Sequence, residues 1–160
     1  MILYDYNSNA ILADPMKIWN NRETICAFQT LHAHLIYRGL KPRFQNLDNK
    51  YSASPKTLLQ KEEINFQLTP PHMHCHNAAE RSIQTLKHNF ISGLFSINNN
   101  SSLQLWCWII PQSVTKINLL QLYCLNPQMS AKAQLNGTLN YNQTPLAPTG
   151  IKLVIHDNYN

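Results

Sequence analysis

Two carboxylates and a short polar row set the chemistry this sequence could perform. Asp48 closes the stretch Phe44-Gln45-Asn46-Leu47-Asp48-Asn49. Glu80 lies early in Asn77-Ala78-Ala79-Glu80-Arg81-Ser82-Ile83-Gln84-Thr85-Leu86-Lys87. Apolar residues recur at Ile83, Leu86, Phe90, Ile91 and Leu94, which is helical spacing. Asn77 suits the N-cap of that helix, and Glu80 stands where a capping-box glutamate belongs. One reading of Glu80 is therefore structural, a carboxylate at the positive end of the helix dipole. The other is chemical. Gln84 and Lys87 follow Glu80 by four and seven residues, so one helical face presents a carboxylate, an amide and an ammonium. A strand-end aspartate and a first-turn glutamate can converge on a divalent cation. Hard ions such as Mg²⁺ take carboxylate oxygens, and phosphoryl-transfer sites hold two such ions about 4 Å apart.

A second cluster lies just upstream, in Pro70-Pro71-His72-Met73-His74-Cys75-His76. Three imidazoles and a thiol could bind a transition metal. Alternating loop residues need not share a face, however, and no fourth ligand stands out, so a plain or DNA-facing loop is favoured over a metal site. His32 and His34 sit within a helical pattern and read as solvent-facing or rim histidines. The cysteines are Cys26, Cys75, Cys107 and Cys124, with no C-x-x-C pair. Cys26 and Cys107 fall in apolar helical patterns and read as buried thiols.

The elements that would position these residues follow in order. Residues 1–6 and 10–13 are apolar runs around Asn7-Ser8-Asn9, a hairpin with turn chemistry. Residues 21–38 form a helix with Ile25, Phe28, Leu31 and Leu35 on its apolar face, stopped by Gly39. Pro42 leads into the strand that delivers Asp48. Ser54-Pro55 starts a helix to about residue 62, and Asn65-Phe66-Gln67-Leu68 alternates as a strand. Residues 103–123 are strongly apolar but contain Pro111, which predicts a kink or two helices. Trp106 and Trp108, in that apolar context, read as core or groove packing rather than base-stacking platforms. From residue 126 onward, prolines and glycines punctuate a polar stretch with little periodicity. Ile151-Lys152-Leu153-Val154-Ile155-His156 reads as a last strand.

Leu47-Asp48-Asn49 followed by Asn77-Ala78-Ala79-Glu80-Arg81 resembles the "DN…N-x-x-ER" signature of retrotransposon integrase cores of the copia or gypsy kind. The resemblance implies an α/β fold of the ribonuclease-H-like type, a mixed sheet flanked by helices. It also implies two Mg²⁺ (or Mn²⁺) ions held by carboxylates in the order Asp, Asp, Glu. Asp48 matches the second carboxylate and Glu80 the third, as catalytic and metal-binding residues. Asn77, Gln84 and Lys87 fall where such helices face DNA. The implied activity is DNA integration by a transposable element's Pol polyprotein: metal-dependent processing of cDNA 3′ ends and their transfer into target DNA. The implied partners are those DNAs and other copies of the chain.

The chain departs from the family at its start. Residues 1–16 resemble the family's second and third strands, and the strand carrying the first catalytic Asp precedes that hairpin. The expectation is a core lacking that strand and that ligand, covering residues 1–125, with a linker and tail over 126–160. Asp5 then reads as a turn residue. The hairpin is expected to close directly onto the Asp48 strand. Lys50, where the family has a small or acidic residue, is a further departure.

The whole composition bounds these readings. The length of 160 residues suits one domain. A formal net charge of +5 is compatible with a polyanionic partner, although only 13% of residues are charged and no dense basic run occurs. The longest apolar run is too short to span a bilayer, and no signal-peptide pattern opens the chain. The expectation is an intracellular protein, nuclear in the case of a functional eukaryotic element. Against the integrase reading stand two others: a non-catalytic nucleic-acid-binding remnant, and a decayed coding fragment without activity.

Overall fold

Asp5 and Ser8 close the first turn of the chain. The Asp5 carboxylate Oδ2 accepts from the Ser8 N–H at 2.8 Å and from its hydroxyl at 2.6 Å. Asn9 follows in the left-handed region at φ +57, where asparagine is tolerated. The Tyr4 hydroxyl donates to its Oδ1 at 2.7 Å. The turn aligns β1 (Ile2–Asp5) antiparallel to β2 (Ala10–Ala13), with Leu3 opposite Leu12 and Tyr4 opposite Ile11. The hairpin is the one expected, and Asp5 is its turn residue.

Strand alternation gives the hairpin two apolar faces. Leu3, Ala10 and Leu12 pack on one side with Leu31, Leu35, Ala131 and Leu135. Ile2, Tyr4, Ile11 and Ala13 pack on the other with Leu86 and Ile117. A hairpin buried on both faces is thus the middle layer between helices. In the computed structural model the described residues are 1–47, 53–70, 78–97, 106–143 and 147.

The first helical layer begins with α1 (Asn21–Tyr37). Asn20 caps it, its side chain accepting from the Glu23 N–H at 2.8 Å, and Gly39 at φ +76 ends it. Then β3 (Phe44–Leu47), α2 (Ala53–Lys61) and β4 (Asn65–Leu68) form a βαβ unit, with the two strands parallel. Leu47, Leu59 and Ile64 bury themselves with Phe28 of α1. The other layer holds α3 (Ala78–Phe95) and α4 (Trp106–Leu120). A last short helix, α5 (Ala131–Asn136), joins the α1 side.

The α/β class is as expected, but the strands depart from a single mixed sheet. Among the described residues they form two separate pairs, β1–β2 and β3–β4. The expected closure of β1 onto β3 is not found among the described residues. The two pairs are joined by side chains instead: Met1 and Leu3 touch both the cluster around Leu31 and Leu35 and the one around Phe28 and Leu47. Apolar burial is satisfied through α1 without a shared ladder.

Four further expectations are corrected. His32 is buried, 8% exposed, and stacks on Phe28 with ring centres 5.4 Å apart. It lies four residues after Phe28, on the apolar stripe itself. Cys26 is exposed because it falls off that stripe, and Cys107 is half-buried. α4 runs as one helix through Pro111, so the two-helix alternative is not found, and Trp108, off the stripe of the buried Ile109 and Ser113, is 74% exposed. The stretch after residue 126, read as aperiodic, contains α5. Ser130 caps it by accepting from the Ala133 N–H at 3.1 Å, and Ala131 and Leu135 are core residues. The strand reading at residues 151–156 lies outside the described residues.

Candidate functional site

The site residues described are those on α3. Its buried side is Ala78, Ser82, Leu86 and Gly93, mostly small, so the helix lies close to its neighbours. The Ser82 hydroxyl is satisfied within the helix, donating to the Ala78 carbonyl at 2.7 Å. A Cβ on Gly93 would stand 3.1 Å from Ile109 Cγ2 of α4. With that side fixed against β1 and α4, the helix period turns Glu80, Gln84 and Lys87 outward. Glu80, in the first turn, is half-buried, whereas Gln84 and Lys87 are exposed. The row of carboxylate, amide and ammonium is therefore a surface feature of α3.

Its partners in the sequence reading fall elsewhere. β3 is described as far as the buried Leu47, and Asp48, the next residue, lies outside the described residues. So do Asn49, Lys50, the proposed cap Asn77, and the cluster of His72, His74, Cys75 and His76. The convergence of Asp48 with Glu80 is thus not described. Among the described residues no three of His, Cys, Asp and Glu come together to hold a metal. Asp5 serves the hairpin turn, one carboxylate oxygen taking both Ser8 donors.

β1 runs beneath α3 and ties it to the hairpin. Tyr4 packs with Ile11 and Leu86. Burial pushes its phenol above the ordinary value; Cys124, Tyr6 and Asp5 add to that rise, and Arg81 of α3 opposes it. Arg81 therefore lies close enough to act on the strand, one residue after Glu80.

Sequence reasoning missed what lies beside the polar row. Ile83, Phe90 and Leu94 of α3, with Trp106 and Ile110 of α4 and Ile2 of β1, line an open apolar groove of about 570 Å³, and Lys87 stands on its wall. Phe90 meets the Trp106 ring edge-on at 6.3 Å. Ile83, Phe90 and Leu94 belong to the periodic apolar face of the sequence reading. The width of that stripe was the available signal: it covers more of the helix than one buried side can hold.

Chemically, a half-buried carboxylate one turn from an exposed amide and two turns from an exposed ammonium suits contact with a phosphodiester. The ammonium and the amide can bind non-bridging oxygens. No family profile matches this chain, and no curated protein sequence matches it. A solved structure does. Over 99% of its length the chain superposes on 51% of a chain in the cryo-EM structure of the simian T-cell lymphotropic virus intasome in complex with PP2A regulatory subunit B56 gamma. The TM-score is 0.64 and the sequence identity 18%. The chain spans about half the length of that neighbour. The likeness is one of fold: this α/β chain shares the fold of that chain of the intasome structure.

Proposed function

We propose that this chain is part of the core of a retroelement integrase of the retrotransposon kind, acting on DNA. The observation that carries the reading is the superposition over 99% of the chain on a chain of a retroviral intasome structure. The placement of Glu80 in the first turn of α3, with Gln84 and Lys87 exposed on the same helix, supports it. In this reading Gln84 and Lys87, with Asn77, contact the DNA backbone. Asp48 and Glu80 hold Mg²⁺ or Mn²⁺, which would supply charge stabilisation for in-line attack at phosphorus. Element cDNA ends and target DNA are the substrates, other copies of the chain are partners, and the nucleus is the compartment.

A second reading, a DNA-binding piece without catalysis of its own, is favoured by one observation. Asp5 serves the hairpin turn, its Oδ2 taking both Ser8 donors, a structural role that accounts for the residue without a metal. Two carboxylates alone hold Mg²⁺ weakly.

One experiment addresses both readings. Binding of a labelled duplex is measured with and without Mg²⁺, alongside strand transfer from a DNA-end substrate, for the wild type, Lys87→Ala and Glu80→Gln. The integrase-core reading expects binding that falls steeply with salt and weakens in Lys87→Ala. Joining abolished by Glu80→Gln would assign catalysis to this chain. Binding without joining would favour the second reading, and no binding at low salt would remove both.

A further inference from the structure

The corner where α1 ends against α5 gathers positive charge from distant parts of the sequence. Leu35 of α1 is buried in one cluster with Ala131 and Leu135 of α5. His34 precedes Leu35, and Arg38 stands four residues after His34, on the same face. Lys132 follows Ala131. At this seam His34, Arg38 and Lys132 thus stand beside residues buried in one shared cluster. They act on each other. Burial and then Arg38 and Lys132 lower the pKa of His34, and burial and then Arg38 lower that of Lys132. The Arg38 guanidinium lies 5.1 Å from the centre of the Tyr37 ring, and Tyr37 is 81% exposed. Lys41 and Arg43, both exposed, continue the basic stretch toward β3.

A purely structural role explains only part of this. His34 and Arg38 stand at the C-terminal end of α1, where cations complement the helix dipole. Lys132 stands in the first turn of α5, the end at which a cation is disfavoured. The seam thus holds cations that repel one another, and a bound polyanion would relieve that repulsion. An exposed aromatic ring beside arginine adds a stacking platform for a base, which favours a nucleic acid over an acidic protein.

We propose that the α1–α5 seam is a second nucleic-acid contact surface, with Arg38, Lys132 and His34 on the phosphodiester backbone. The proposal rests on the DNA-binding reading above but uses a different surface. α1 and α5 pack on one face of the hairpin and α3 on the other. The molecule would then hold nucleic acid on both sides of its middle layer.

The test is fluorescence anisotropy of a labelled duplex with the whole chain, titrated at salt from about 50 to about 200 mM, a range over which phosphate contacts lose affinity steeply. Arg38→Ala combined with Lys132→Ala should weaken binding about tenfold or more and flatten the log–log salt dependence by about two, near 0.9 per lost phosphate contact. Arg38→Lys with Lys132→Arg keeps both charges and should restore the slope. In parallel, the His34 imidazole, followed by NMR, should titrate at higher pH in the complex, in both the wild type and Lys87→Ala. An unchanged slope in the double alanine variant, with binding weakened by Lys87→Ala, would overturn the seam and leave the α3 reading standing. Polyglutamate displacing the duplex at equal charge concentration would overturn the assignment to nucleic acid. No duplex binding at the lowest salt would overturn both surfaces.

Discussion

The side-chain amide of Asn118 holds both backbone groups of Ile11. Its Oδ1 accepts from the Ile11 N–H at 2.9 Å, and its Nδ2 donates to the Ile11 carbonyl at 2.8 Å. Asn118 is 2% exposed, so the pair is shielded from water. A helix side chain here takes the place of a neighbouring strand and seals the outer edge of β2. Asn118→Leu has similar volume but leaves a buried donor and acceptor unpaired. The expected loss is about 2–5 kcal/mol, measured by urea unfolding. A loss below about 1 kcal/mol would mean that water reaches Ile11.

Gly93 sets how closely α3 approaches α4. An added Cβ would meet Ile109 Cγ2 at 3.1 Å, so the neighbour must yield by a few tenths of an ångström. Gly93→Ala combines that strain with a helix-propensity gain of about 1 kcal/mol, and the two should nearly cancel. Gly93→Val adds branched bulk against a buried isoleucine and should cost about 1–3 kcal/mol. Thermal unfolding of the two variants checks the ranking, and equal stability would show that the α3–α4 contact is loose.

Acid should loosen the α1 side of the core through His32. Burial lowers its pKa below the ordinary 6.5, outweighing the opposing effect of Glu62. Its Nε2 is buried without a hydrogen-bond partner among the described residues. Above about pH 6.5 the ring is neutral in both folded and unfolded chains, and no penalty arises. As pH falls below that value the unfolded chain takes the proton first, and stability drops until the lower folded pKa is passed. The urea midpoint should therefore fall between about pH 7 and pH 5. His32→Phe keeps a ring on Phe28 and should flatten the fall. His34, shifted the same way, leaves part of the slope. An identical pH dependence in His32→Phe would refute a neutral buried imidazole.

Leu135 tests whether α5 belongs to the core. It is 2% exposed, packed with Leu31 and Leu35. Leu135→Ala should cost about 2–4 kcal/mol, whereas removal of a side chain from a loose tail would cost almost nothing. Chemical denaturation separates the two outcomes.

What the sequence disclosed and what it withheld divide along physical lines. The hairpin, α1, β4 and the described part of α3 were legible because each carries its own period and its own turn or cap chemistry, as Ser8 and Gly39 show. α5 was not, since six residues hold too few turns for a period to appear. Its markers were Ser130 as cap and Gly137, at φ +80, as stop. The burial of His32 was legible in principle, because the residue continues the stripe of Phe28, Leu31 and Leu35. Polarity argued otherwise and lost to geometry. Strand pairing was misjudged because it depends on which side chains fill the space beside an edge, and here Met1 and Leu3 fill it from two clusters. The polar row of α3 could be read one turn at a time. The cations of the α1–α5 seam could not, because nothing local links Arg38 to Lys132.

The hairpin in the middle layer has a consequence for synthesis. Its strands pair early, but what covers them is made late: Asn118 binds Ile11 across 107 residues of sequence. At ribosomal rates that interval lasts roughly 5–20 s. For that time the β2 edge is unsealed, and the hairpin faces, met by α1 and then α3, still lack Ile117 of α4 and Leu135 of α5. The cover of the first thirteen residues is completed only by the last third of the chain, and the interval is when a chaperone, or a second nascent copy, meets an open strand edge.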